Sequence, residues 1–294
     1  MNYINIKKDI EFLNKNIALV FAHPDDEVLI ASSIIKRSNK LIFCYSYDPE
    51  NIEVSKNREI IKQSYPLEHA KFLSIPEIAR KNPLKEFLDW RYPEETEYGM
   101  KILSPSSEKD KYRESYESLS EYLRSELVGI DAVITHNPWG EYGHPLHVQV
   151  HRAVCNIAKN NNFTVYVPAI FALKSKVFMS ITAHKLDSQP IYQTVDKDFW
   201  YKMQNFYLQN NAWTWNRYDE PRSYDIFYKV VDYSVNSKKD SSYTSQQPLY
   251  FIDKPFRIHT FAEFLSMTNL SFIVNFFLKA KHFITKHIFR FGKD

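Results

Sequence analysis

Apolar residues along this chain fall into two kinds of stretch. Short runs at 17–22, 40–46, 70–73, 131–135 and 163–167 are nearly continuous, whereas stretches at 25–38, 52–64, 110–128 and 145–159 carry apolar residues spaced as on one face of a helix. The first pattern predicts buried strands and the second amphipathic helices. Their alternation predicts an α/β domain with a Rossmann-like, mainly parallel sheet and helices on both faces. A Pro-rich, acidic segment around 81–108 interrupts the alternation and reads as a long loop over one end of the sheet.

Two polar clusters sit where strands should end. Phe21-Ala22-His23-Pro24-Asp25-Asp26-Glu27 follows the run Ile17-Ala18-Leu19-Val20, and Gly140-Glu141-Tyr142-Gly143-His144-Pro145-Leu146-His147 follows Ala132-Val133-Ile134. In open α/β sheets the carboxyl ends of strands border the ligand crevice. An imidazole with two carboxylates supplies metal ligands and a general base, the minimum for metal-assisted hydrolysis. Pro24 suits a first helical turn, which places Asp25, Asp26 and Glu27 where carboxylates are favoured. A helix beginning near Pro145 would project His144 and His147 from neighbouring positions of its first turn. Of only five glycines, Gly140 and Gly143 stand just before His144, which suggests a bent or closely approached backbone.

Ala-His-Pro-Asp-Asp-Glu at 22–27, with Thr-His-Asn-Pro-Trp-Gly-Glu-Tyr-Gly-His-Pro-Leu-His-Val at 135–148, resembles the PIG-L/LmbE family of zinc-dependent N-deacetylases. The resemblance runs from about 16 to about 160. It implies a hydrolase that removes the acetyl group from an N-acetylglucosamine-type sugar. It implies Zn2+, with Fe2+ as an alternative, held by His23, Asp26 and His147, and Asp25 as general base. His144, as imidazolium, would stabilise the oxyanion, and Tyr142 would help to polarise the carbonyl. Arg58, in a segment similar to the family's Arg-containing helix, becomes a substrate contact or a solvated helix arginine. The chain departs from the family's His-Pro-Asp-His at Leu146, where an acidic residue usually orients the neighbouring histidine, and Ile30-Ala31-Ser32-Ser33 replaces a small, glycine-rich stretch.

Other residues read more plainly. His151, four past His147, could mimic a two-histidine zinc motif, but the family uses only the first. Glu27 and Glu141 read as helix-start and loop charges, and Cys44 and Cys155 as small buried hydrophobes in a reducing compartment. Trp213 and Trp215, in an aromatic-rich stretch, are candidates for a sugar-stacking wall and equally for core packing. Asp89, Trp90, Arg91 and Tyr92 either touch a sugar or anchor their loop.

Composition fits a globular chain: 294 residues, 44% hydrophobic, 25% charged and a net charge of +3, which gives no ground for a nucleic-acid role. The first sixteen residues lack the apolar core of a signal peptide, and no run of eighteen apolar residues predicts a spanning helix. From Ser271 to Asp294, Phe272, Phe276, Ala280, Phe283, Ile284, Ile288 and Phe291 recur at helical spacing beside Lys279, His282, Lys286, Arg290 and Lys293. This basic amphipathic pattern predicts peripheral contact with a membrane interface, or docking onto the domain or a partner. The organisation expected is a deacetylase-like domain over 1–268 and a helical tail over 269–294, in the cytoplasm and at the inner membrane face. Two rival readings remain: a sugar-binding scaffold of the same fold without hydrolysis, motivated by Leu146, and a membrane adaptor in which the tail is the working part.

Overall fold

The computed structural model describes residues 11–78, 93–103, 106–235 and 250–251. In chain order the elements that position the site are β1 (Ile17–Phe21), α1 (Asp26–Ala31), β2 (Lys40–Phe43), α2 (Ile52–Ser64), β3 (Ala70–Phe72), β4 (Glu95–Thr96), β5 (Gly99–Met100), α3 (Ser106–Glu126), β6 (Ala132–Thr135) and α4 (Pro145–Ala158). There follow β7 (Thr164–Pro168), β8 (Ile170–Phe171), α5 (Lys176–Thr182), β9 (Ile191–Thr194), α6 (Lys197–Gln209), β10 (Tyr224–Lys229) and β11 (Tyr250–Phe251).

Seven strands form the main sheet in the order β3-β2-β1-β6-β7-β10-β9. The pairings from β3 to β7 are parallel, and β10 and β9 extend that edge antiparallel. The α/β architecture is therefore the one expected, with an antiparallel extension from the last third of the described chain. Beside β1 the sheet continues to β2 on one side and to β6 on the other, so the strand order reverses there. This is the topological switch point at which α/β proteins open a ligand crevice.

Alternation along β1 shows how both faces are covered. Ile17, Leu19 and Phe21 join a core with Leu29 and Ile30 of α1, while Ala18, Val20 and Ala22 join another with Leu119 and Leu123 of α3 and Val150 and Val154 of α4. Each large apolar side chain so buried contributes about 1.5–3 kcal/mol. Helices therefore lie on both faces, as continuous apolar strands require. Cys44 and Cys155 are free thiols buried in the core.

Two expectations change. The helix expected over 25–38 stops at Ala31 and resumes only as a 3-10 turn at Ile35–Arg37. Asp225 of β10 accepts the Ser33 amide at 2.8 Å and the Ser32 hydroxyl at 3.3 Å, and Arg222 donates to the Leu29 carbonyl, so tertiary partners replace the helical bonds. Within the expected 81–108 loop the chain forms the β4–β5 hairpin, with Glu95 opposite Met100. The candidate contacts Asp89, Trp90, Arg91 and Tyr92 and the tail at 269–294 lie outside the described residues. Among the described residues no helix is long and apolar enough to cross a membrane.

Candidate metal centre and active site

The two polar clusters meet because β1 and β6 are hydrogen-bonded neighbours, with Val20 opposite Thr135. Thr135 donates its hydroxyl to the Val20 carbonyl at 2.8 Å, and the Ala22 amide donates to His136 Nε2 at 2.8 Å. The loop after β1 then presents His23, Asp25 and Asp26, and the loop from β6 into α4 presents Glu141, Tyr142, His144 and His147.

His23 Nδ1, Asp26 Oδ2 and His147 Nε2 form a nearly equilateral triangle. The separations are 3.4 Å from His23 to Asp26, 3.4 Å from Asp26 to His147 and 3.3 Å from His147 to His23. A tetrahedral ion with metal–ligand bonds of about 2.0–2.1 Å has ligand–ligand edges of about 3.3–3.4 Å. The donor set thus fits one face of a tetrahedral divalent-metal site. His147 suits this role because burial, and then His136, push its imidazole well below the ordinary value, leaving it neutral despite Glu141.

His136 and His144 also approach these ligands: Asp26, His136 and His147 form one compact group, and His23, His144 and His147 another. Hydrogen bonds separate the roles. The lone pair of His136 Nε2 is occupied by the Ala22 amide, and its Nδ1 faces Glu141 Oε2 at 2.9 Å. The His144 Nδ1 accepts the Leu146 amide at 3.2 Å as the N-cap of α4, which puts the neutral ring's proton on Nε2. The orientation of His144 thus comes from the backbone of Leu146 instead of a carboxylate. The Leu146 side chain itself is buried in the apolar core. His151 donates or accepts at Nδ1 with the His136 carbonyl at 2.8 Å and takes no part in the triangle.

Glu141 is the largest departure from the sequence reading. It is fully buried, and one oxygen, Oε2, meets both His136 Nδ1 at 2.9 Å and His147 Nδ1 at 2.7 Å, while Oε1 accepts the Asn137 amide at 2.9 Å. Burial opposes its charge, but His136 and His147 hold the carboxyl at about 2. The loop that delivers it is tight: Glu141 has φ 50°, and a Cβ on Gly140 (φ +64°) would lie 2.6 Å from the His144 carbonyl. The glycines around it signalled a bent backbone, not an inward carboxylate. A carboxylate on the far nitrogen of a ligating histidine fixes the tautomer and orientation. Glu141→Gln is expected to weaken zinc binding about 10–100-fold, read by competition with a chromophoric chelator. Unaltered affinity would leave Glu141 a packing role alone.

The opposite side of the triangle has a similar support. His23 Nε2 lies 3.1 Å from Glu77 Oε1, off the line of a good hydrogen bond, and Glu77 is ion-paired with Arg58. Burial opposes the charge on Glu77, yet His23 and Arg58 hold it at about 2. Arg58 is itself buried, with its other contact on the Tyr45 carbonyl at 3.3 Å. Its guanidinium therefore pairs with Glu77, one step behind His23, and is not the solvated helix arginine that was the other reading.

Asp25 occupies a left-handed conformation, φ 98°, which costs a non-glycine residue on the order of 1–3 kcal/mol. Its Oδ2 accepts the Thr214 amide at 2.6 Å and the Thr214 hydroxyl at 2.8 Å, whereas Oδ1, also buried, has no hydrogen-bond partner among the described residues. Burial, followed by the charge of Asp26, pushes its carboxyl up to about 7 against the Thr214 bonds. Glu27 is no solvated helix-start charge. Its Oε1 accepts from Tyr207 at 2.7 Å and Tyr65 at 3.0 Å, and its Oε2 accepts the Asp25 amide at 3.0 Å. Burial pushes this carboxyl up to about 8.

Trp213 and Trp215 both pack on aromatic neighbours. Trp215 is buried with its ring 5.1 Å from Tyr142, edge to face, and Tyr142 stands 5.3 Å from His147 and 5.7 Å from His144. Trp213 is half-buried between Trp200 and Tyr207 and donates Nε1–H to the Asn216 carbonyl at 3.1 Å. Both indoles thus make packing contacts beside the site.

No protein-family model matches the chain, and no curated protein matches it. Among solved structures, a deacetylase in complex with teicoplanin, from the teicoplanin biosynthesis pathway, is 14% identical over 73% of this chain and 97% of its own, with a TM-score of 0.48. A zinc-inhibited form of teicoplanin deacetylase is 16% identical over 73% and 97%, TM-score 0.46. A deacetylase of an antimicrobial pseudoaglycone is 11% identical over 76% and 99%, TM-score 0.48.

Proposed function

We propose that this chain is a metal-dependent N-deacetylase of the PIG-L/LmbE type, which hydrolyses the N-acetyl amide of an amino sugar to acetate and a free amine. The observation that carries the reading is the 3.3–3.4 Å triangle of His23, Asp26 and His147 beside a buried carboxylate, Asp25, with one oxygen left without a partner. Two nitrogen donors and one oxygen donor in this spacing favour Zn2+, with Fe2+ the alternative. Such a metal, when bound, polarises the amide carbonyl and lowers the pKa of a water from about 16 to about 7. Asp25 takes the proton of the attacking water at Oδ1 and returns it to the leaving amine. His144 donates from Nε2 to the oxygen on which negative charge develops, and Tyr142 completes that side. The scaffold reading is disfavoured because Leu146, its only motive, leaves His144 oriented by a backbone amide.

The substrate class proposed is a glycoconjugate of the N-acetylglucosamine type, used in surface polysaccharide or glycolipid assembly at the inner membrane face. The tail pattern at 271–294 supports the membrane part of this reading. The test is acetate release by metal-loaded protein from N-acetylated sugars presented free, nucleotide-linked and lipid-linked on anionic vesicles. Release from the lipid-linked sugar is expected; release confined to free sugars would remove the lipid assignment, and a silent panel from zinc-loaded protein would remove the deacetylase.

A further inference from the structure

Two hydrogen bonds hold Asp25 Oδ2, and both come from a part of the chain far from the motif that contains it. Thr214 lies 189 residues downstream, yet both hydrogen bonds on Asp25 Oδ2 are its own, one from the amide at 2.6 Å and one from the hydroxyl at 2.8 Å. The same segment closes a ring around Asp25. The Asp25 amide donates to Glu27, Glu27 accepts from Tyr207 of α6, Tyr207 packs 6.2 Å from Trp213, and Trp213 precedes Thr214. On the other side of Thr214, Trp215 packs against Tyr142. The tripeptide Trp213-Thr214-Trp215 thus anchors one indole in the α6 cluster and the other behind Tyr142, and its central residue faces the carboxylate.

We propose that Thr214 is the positioning residue of the general base: it ties Asp25 Oδ2 with two donors, so that Oδ1 alone is aimed at the reacting water. This inference rests on Asp25 serving as base in the deacetylase proposed above. The physical argument is geometric. A carboxylate in a left-handed backbone position can rotate about its side-chain bonds, and either oxygen could turn away from the substrate. Two donors from a single residue on one oxygen fix the plane of the group as well as its direction. A hydroxyl and an amide at these distances occupy the lone pairs of Oδ2 and leave those of Oδ1 without a partner among the described residues. The last third of the described chain, where the sequence resemblance has faded, therefore completes the catalytic group instead of merely covering it.

The full-length, zinc-loaded protein tests this with Thr214→Val, Thr214→Ser and Asp25→Ala. Thr214→Val keeps the shape and the amide bond but removes the hydroxyl. It is expected to lower kcat about tenfold, with KM and zinc affinity unchanged, and Thr214→Ser is expected to restore kcat to within about twofold of wild type. A role limited to packing would instead leave kcat unaltered or lower KM, kcat and metal content together with no serine rescue, and either result would overturn the proposal. Hydrogen exchange at the Thr214 amide gives a readout that needs no turnover: Asp25→Ala should speed it at least tenfold if the clamp exists in solution, and unchanged exchange would sink it. Wild-type protein that releases no acetate while this protection is intact would instead mean that the deacetylase reading has failed, and the proposal with it.

Discussion

Replacing Asp25 with asparagine is expected to leave the metal in place and lower turnover by at least about a hundredfold, the low end for loss of a positioned general base. The asparagine oxygen can stand where Oδ2 now accepts the two Thr214 donors, so the clamp and the left-handed backbone at 25 keep their partners. The amide nitrogen then occupies the position of Oδ1, where a lone pair is replaced by two N–H groups. Binding of substrate should alter little, because the change removes proton transfer and not shape. The check is kcat and KM for acetate release beside zinc content. Near-normal kcat would remove Asp25 from the base role, and loss of zinc would reassign it to the metal site.

Metal removal should have the other large effect. Chelation is expected to bring acetate release to background, and one equivalent of Zn2+ to restore it. His147→Ala should weaken zinc binding by more than the roughly 10–100-fold that a supporting residue contributes, because it deletes a corner of the triangle itself. The pH dependence of this binding has a definite sign. Burial favours a neutral His23, yet Glu77 and Asp26 overcome it and raise the imidazole to about 9 in the metal-free protein. At neutral pH the metal must therefore displace a proton, since only the neutral ring offers Nδ1. Apparent affinity should rise about tenfold per pH unit up to about 9, and calorimetry in buffers of different ionisation enthalpy should find a proton released. A flat affinity over that range, with no proton released, would show that His23 meets the metal already neutral.

The supports of these groups were legible to different degrees. The motif residues could be read because each cluster follows an apolar run and so must lie at a strand end. Glu141 could not, since a loop glutamate between two glycines has the composition of a solvated turn. Only the fold shows that its φ of 50° turns the carboxylate inward onto His136 and His147. The sequence marks Arg58 only through its resemblance and gives Glu77 no signal; their pairing behind His23 comes from the fold. The aromatic residues at 213 and 215 gave no means of choosing between wall and core, because stacking on a sugar and packing on a tyrosine use the same side chain. Thr214 between them carried no signal.

By itself the sequence determined the alternation of strand and helix, the parallel sheet covered on both faces, and the pairing of an imidazole–carboxylate cluster with a downstream histidine cluster. These follow from local periodicity and from residue types adjacent in the chain. The tertiary structure alone decided that β1 and β6 are neighbours, that a triangle of 3.3–3.4 Å results, and which groups support it. Those supports, like the Thr214 clamp on Asp25, are polar contacts between residues up to 189 positions apart, and a contact of that kind leaves no period or spacing in the chain. It arises only when packing brings the two backbones together and burial makes an unpaired polar group costly.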